Sequence, residues 1–133
     1  MKVVVTGGLG FIGSHTVVEL QNKGFEVVII DNLSNSSESV LKGIVAITGK
    51  NPLFEKLDLR KKSSVQAFFK KHNDLSSVIH FAASKAVGES VKNPLLYYEN
   101  NIASLIYLLQ ELQKKNSSSF YFQFFLHGLW SSR

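Results

Sequence analysis

The sequence contains no cysteine, only two prolines and one tryptophan, and no apolar run near the length of about 18 residues that a membrane-spanning helix needs. Without cysteine there is neither a disulfide framework nor a thiolate metal centre, and the composition suits a reducing cytoplasm. No metal site is expected. The N-terminus runs directly into an apolar strand, so neither a signal peptide nor a membrane partner is expected. Long runs of one charge are missing too. Fifteen basic against ten acidic residues give +5, but the lysines stand in pairs (Lys61-Lys62, Lys70-Lys71, Lys114-Lys115) with acids between the pairs. Such pairs mark solvated helix faces, and nucleic acid is excluded as a partner. What remains is 133 residues with 44% hydrophobic and 19% charged, a balance that excludes disorder and allows one domain with a real core.

The most informative stretch runs from Lys2 to Asp31. Lys2-Val3-Val4-Val5-Thr6 reads as a short apolar strand, Gly7 to Gly13 as a tight turn, the residues up to Gly24 as an amphipathic helix, and Glu26 to Ile30 as a second strand closed by Asp31. Gly8, Gly10 and Gly13 match the Gly-x-Gly-x-x-Gly dinucleotide fingerprint, Gly7 extends it, and an acid follows about 20 residues on. Each part has a physical task. Glycines tighten the turn, admit a pyrophosphate close to the backbone and let helix and strand approach, while free N–H groups at the helix start hold the phosphate charge. Asp31 would accept hydrogen bonds from the adenosine ribose, and its charge repels a 2′-phosphate, which favours NAD over NADP.

Strand and helix then alternate. Asn32 to Ser37 form a polar loop able to cap a helix over about Glu38 to Thr48, and Gly49-Lys50-Asn51-Pro52 breaks it. Leu53 to Leu57 read as a third strand, Ser63 or Ser64 as the start of a helix carrying Val65, Phe68 and Phe69, and Ser77 to Ala82 as a fourth strand. Asn93-Pro94 opens the longest helix, whose Ile102, Leu105, Leu109 and Leu112 form a stripe read as core packing or as a face for a partner helix. The fold class is α/β: a Rossmann-like parallel sheet of order 3-2-1-4 with helices on both faces, truncated after about the fourth or fifth strand. Loops at Gly7 to Gly13, Asp31 to Ser36, Asp58-Leu59 and Phe81 to Lys85 all follow strands and gather on one sheet edge.

Thr6-Gly7-Gly8-Leu9-Gly10-Phe11-Ile12-Gly13-Ser14-His15, Asp31-Asn32-Leu33-Ser34-Asn35 and Val78 to Ser90, above all Lys85-Ala86-Val87-Gly88-Glu89-Ser90, resemble the UDP-glucose 4-epimerases of the extended short-chain dehydrogenase/reductase superfamily. The likeness covers about Met1 to Asn116. It implies an NAD cofactor, UDP-glucose and UDP-galactose as substrates of the complete enzyme, removal and return of hydride at C4 of the hexose, and a homodimer involving the Pro94 to Leu112 helix. It implies that Gly7, Gly10, Phe11, Ile12 and Gly13 hold the pyrophosphate and that Asp31, Asn32, Leu33, Ser34, Asn35 and Ser36 form the ribose loop. Asp58 and Leu59 are placed at the adenine, Phe81, Ala82, Ala83, Ser84 and Lys85 under the cofactor, with Lys85 near phosphate or ribose oxygens, and Asn100 at the nicotinamide. Ala83-Ser84 departs from the Gly-Leu frequent in that family. His15 and His80 read as packed or helix-face residues.

The catalytic pair of that superfamily, Tyr-x-x-x-Lys, is not in this sequence: Tyr97, Tyr98, Tyr107 and Tyr121 are followed four residues on by Asn101, Ile102, Glu111 and Phe125. No catalytic residue is therefore assigned. The end of the chain also departs. With suitably chosen synonymous codons, the tail from Phe120 read one nucleotide later encodes Phe-Ile-Phe-Ser-Ser-Ser-Cys-Met-Val-Tyr-Gly, the family's fifth strand and loop. The expectation is an NAD-binding domain over residues 1–116, incomplete, followed by an altered apolar tail over 117–133 from a frame shift near Ser117 to Phe120. Strand four would be an exposed edge unless that tail pairs with it, and poor solubility is expected. Two other readings stay open: another nucleotide-sugar dehydratase or reductase of the superfamily, against which the Lys85 to Ser90 run weighs, and a non-catalytic NAD-binding or interaction module.

Overall fold

A computed structural model describes residues 1–83 and 91–115 and the backbone of 119–122. The elements are β1 (Lys2–Thr6), α1 (Phe11–Asn22), β2 (Glu26–Asp31), α2 (Ser39–Thr48), β3 (Leu53–Lys56), α3 (Lys62–Lys71), β4 (Leu75–His80), α4 (Pro94–Gln113) and β5 (Ser119–Phe122). All strand pairs are parallel, in the order β3-β2-β1-β4-β5. The expected order therefore stands, with a fifth strand added. Phe120 lies opposite Val78 and Phe122 opposite His80, so β4 is a central strand and not an edge.

Why the central strands are apolar without alternation follows from helices on both faces. Val5, Val27 and Ile29 point to one side, where Leu9, Val17 of α1 and Ile44 of α2 cover them. Val4, Val28, Ile30 and Val78 point to the other, against Val65, Phe68 and Phe69 of α3 and Leu108 and Leu112 of α4. Two cores thus share one sheet. Burying each such side chain contributes about 1.5–3 kcal/mol.

Several local expectations shift. α3 starts at Lys62, one residue before Ser63, and neither it nor α4 has a side-chain hydrogen bond at its cap, although Pro94 does occupy the first turn of α4. Of the α4 stripe, only Leu112 is buried; Ile102 and Leu109 are 46% and 42% exposed. The buried face is instead Ser104, Leu108, Glu111 and Leu112, one step round the helix.

Candidate functional site

The strand order reverses direction between β1 and β4, and the loops at their carboxyl ends open into one cleft of about 690 Å³. The glycine turn forms its middle. Gly7 has φ +66, and its N–H donates to the Ile30 carbonyl oxygen at 2.7 Å, tying the turn to β2. A Cβ on Gly7 would meet the Ala82 nitrogen at 2.9 Å, and one on Gly13 would lie 2.1 Å from the Gly7 oxygen. Only glycine lets α1 start this close to β1. Gly10 caps α1 without a side-chain acceptor, and the first turn carries no acidic residue. The helix-start N–H groups and positive dipole end therefore face the cleft, and they fit a pyrophosphate.

Asp31 ends β2 and is 8% exposed. Its Oδ2 accepts the Leu9 N–H at 3.1 Å, and its Oδ1 accepts the Leu33 N–H at 2.9 Å and the Ser36 hydroxyl at 2.8 Å. One carboxylate thus joins the glycine turn to the following loop. Asn32 adds a turn of its own by accepting the Ser34 N–H at 3.0 Å. Beyond β3, Asp58 accepts from the backbone N–H, Nε and Nη2 of Arg60, at 2.8–3.2 Å, and this hydrogen bonding holds its carboxyl below the usual range against a smaller opposing effect of burial.

The floor at β4 is built by a buried chain of polar groups. The Ala82 N–H donates to Thr6 Oγ1 at 3.2 Å, and the same hydroxyl lies 2.6 Å from His80 Nδ1. Burial pushes the His80 imidazole down to about 4, so it is neutral at pH 7. The Thr6 hydroxyl thus links the Ala82 backbone to the His80 ring. His80 is the packed residue it was expected to be. His15 sits exposed on α1, with Nδ1 2.7 Å from the Phe11 carbonyl oxygen and its ring 4.8 Å from that of Phe11.

Of the residues singled out from the sequence, Gly7, Gly10, Phe11, Ile12, Gly13, Asp31, Asn32, Ser34, Asn35, Ser36, Asp58, Leu59, Phe81, Ala82, Ala83 and Asn100 line this one cleft. Leu33 does not. At φ 61 its side chain packs against the core that holds Leu9 and Ile29, and it serves the loop through its N–H alone. Ser84 and Lys85 lie outside the described residues.

The comparisons give this cleft its context. The NAD dependent epimerase/dehydratase family matches residues 3–123. The chain belongs to that family. It is 50% identical over 122 residues to the UDP-glucose 4-epimerase of Haemophilus influenzae, covering 92% of this chain and 36% of that protein. Identity to the Bacillus subtilis UDP-glucose 4-epimerase is 49% over 114 residues, 86% of this chain and 33% of that one. The chain thus spans about a third of the length of the curated relatives it matches. Among solved structures, the UDP-glucose 4-epimerase from Bifidobacterium longum in complex with NAD+ and UDP superposes with a TM-score of 0.85 at 43% identity, over 92% of this chain and 36% of that one. The Stenotrophomonas maltophila enzyme with bound NAD and formylated UDP-arabinopyranose gives 0.83 at 46%, with the same coverage.

For a member of the NAD dependent epimerase/dehydratase family, five further residues on the cleft wall are of interest: Ile30, Leu57, Arg60, Asn101 and Ser104. Sequence reasoning missed them. Arg60 had a usable signal, since an arginine two residues after an aspartate can fold back on it. Ser104 had none, because only the packing of α4 brings its turn to the cleft.

Proposed function

We propose that this chain is the NAD-binding part of a UDP-glucose 4-epimerase. The reading rests on one observation: a glycine turn, an uncapped α1 start, the Asp31 loop and the Phe81–Ala83 floor converge on one cleft. The order of these parts along the sheet edge supports a dinucleotide with pyrophosphate over β1, one ribose on the Asp31 loop and purine beyond β2 at the end of β3. Asn100 stands on the opposite side, on α4, for the nicotinamide half. NAD, when bound, supplies hydride exchange with C4 of the hexose of UDP-glucose or UDP-galactose. The residues present bind and orient it. Proton transfer at the sugar hydroxyl calls for a Tyr-x-x-x-Lys pair, which this sequence does not contain, so the 133 residues alone are inactive.

Three finer statements belong to the same reading. The exposed apolar face of α4, with Leu95, Ile102, Ile106 and Leu109, is the homodimer surface of the complete enzyme. A cytoplasmic setting agrees with the cysteine-free composition. Residues 117–133 are a frame-altered tail after the 1–116 domain, and β-prone Phe120-Tyr121-Phe122 still supplies a strand because pairing uses backbone groups that any such run provides. The coding DNA tests that last point: codons whose shifted reading lacks the family motif reject it.

Calorimetric titration of the chain with NAD is the main test. Binding is expected, with a loss of roughly tenfold in Asp31→Asn, which keeps the side-chain shape but removes the charge. A folded chain that takes up no NAD would overturn the proposal.

A further inference from the structure

A second recess runs between β3 and α3, and it shares only Leu57 and Asp58 with the cleft. Its volume of about 380 Å³ falls within the roughly 300–1,000 Å³ usual for small-ligand sites. One wall is the end of β3 and the loop after it, with Lys56 and Lys61. The other is a single face of α3, where Ser64, Ala67, Phe68 and Lys71 follow at helical spacing.

The charges in this groove do not balance. Lys56, Lys61 and Lys71 line it together with two acids, Glu55 and Asp58, and both acids are already taken. Glu55 accepts from Lys71 and lies 3.1 Å from His72 Nε2, while Asp58 holds the Arg60 guanidinium at 2.8–3.2 Å. Those bonds are the chief reason each carboxyl stays below its usual range, so both remain ionised and occupied at neutral pH. Among the described residues, neither Lys56 nor Lys61 makes a side-chain hydrogen bond or ion pair, and the Ser64 hydroxyl has no hydrogen-bond partner. Two positive charges and one hydroxyl donor are therefore left over in one recess.

We propose that this groove binds a small phosphate monoester, with the phosphate between Lys56 and Lys61 and the carbon part along Leu57 and Ala67. A phosphate monoester carries a charge of about −1.5 to −2 at pH 7, which matches the two uncompensated lysines; a carboxylate brings only half of that. Ammonium groups on flexible stems hold phosphate as point charges, and Ser64 can donate to one of its oxygens. The ligand would lie beside the dinucleotide cleft without entering it, so this inference does not depend on the NAD-binding reading.

The test is a titration of the 133-residue chain followed by proton–nitrogen correlation spectra, with phenyl phosphate, inorganic phosphate and, at equal ionic strength, sodium chloride. Saturable shifts at the Lys56, Lys61 and Ser64 amides are expected with phenyl phosphate, at concentrations on the order of millimolar, and are expected to persist with NAD present. Inorganic phosphate should bind at the same amides about threefold more weakly, for want of the carbon part. Lys56→Gln combined with Lys61→Gln should weaken binding roughly tenfold, while Lys61→Arg, which keeps the charge, should retain it. Circular dichroism verifies folding, and the two single glutamine variants, each weakened about threefold, serve if the double one is unfolded. A response no greater than that to chloride, shifts confined to the glycine turn, or undiminished affinity in the folded glutamine variants overturns the site. Equal affinity for the two phosphates overturns the ester and leaves free phosphate as the ligand.

Discussion

At the scale of single residues, Gly13 and His80 show how little slack the site contains. Gly13→Ala would drive a methyl group to 2.1 Å from the Gly7 oxygen, which is backbone and has no rotamer to yield. A loss on the order of 3 kcal/mol in a urea unfolding curve is expected, together with loss of NAD binding. His80 is 6% exposed and its imidazole is pushed by burial to about 4, below its ordinary 6.5. The unfolded chain then takes up the proton first on acidification. Stability is full above pH 6.5 and falls by about 3 kcal/mol as pH drops through the folded value near 4. Glu55, held below its ordinary value chiefly by its hydrogen bond from Lys71, and Asp58, held so by Arg60, lose their contributions only as pH falls below the unfolded carboxylate range. His80 should therefore contribute a fall in stability in denaturation curves between pH 7 and 5, and His80→Gln should flatten that slope. Asp31 was legible in the sequence as an acid at a strand end. That it also receives the Leu9 N–H was not, because 22 residues separate them and only the β1–β2 pairing brings them together.

At the scale of elements, α4 and β5 carry the contrasts. Helical spacing places Ile102, Leu105, Leu109 and Leu112 on one stripe, yet the sheet receives Leu108 and Leu112, and the exposed apolar residues face away. Periodicity reports that a helix has an apolar side and is silent on a second one. If the outer side is a dimer surface, Ile102→Glu with Leu109→Glu should reduce self-association in sedimentation velocity while leaving NAD affinity within about twofold, since both lie on the face away from the core. Retention of the wild-type sedimentation pattern would remove the dimer assignment. β5 answers the concern over an open edge: its backbone completes the ladder along β4 from Ser77 to His80. The sheet therefore ends in β3 and β5, and β3 at one edge carries Glu55 and the exposed Lys56, charges that discourage strand addition.

At the scale of the whole molecule, the sheet is a scaffold that places four loops over one edge, and ligand binding should act on it as a unit. NAD at a hundredfold excess over its dissociation constant is expected to add about 2.7 kcal/mol to the folded state, visible as a rise in melting temperature. No interconversion of UDP-glucose and UDP-galactose should be detectable with the 133-residue chain under conditions where that rise is observed. Turnover in that assay would mean that a proton-transfer group other than Tyr-x-x-x-Lys operates here.

The sequence by itself determined the α/β class, the alternation of elements and most of the cleft. These depend on local rules: apolar runs for strands covered on two faces, glycines where a Cβ cannot fit, an acid at a strand end. Only the tertiary structure decided that Leu33 turns into the core while its N–H serves Asp31, that Thr6 and His80 support the Ala82 floor, and that Arg60 and Ser104 reach the cleft. The physical reason is common to all of them. Each depends on which groups parallel pairing and helix packing bring within hydrogen-bond reach across dozens of residues, a matter of register and crossover that local residue patterns do not encode.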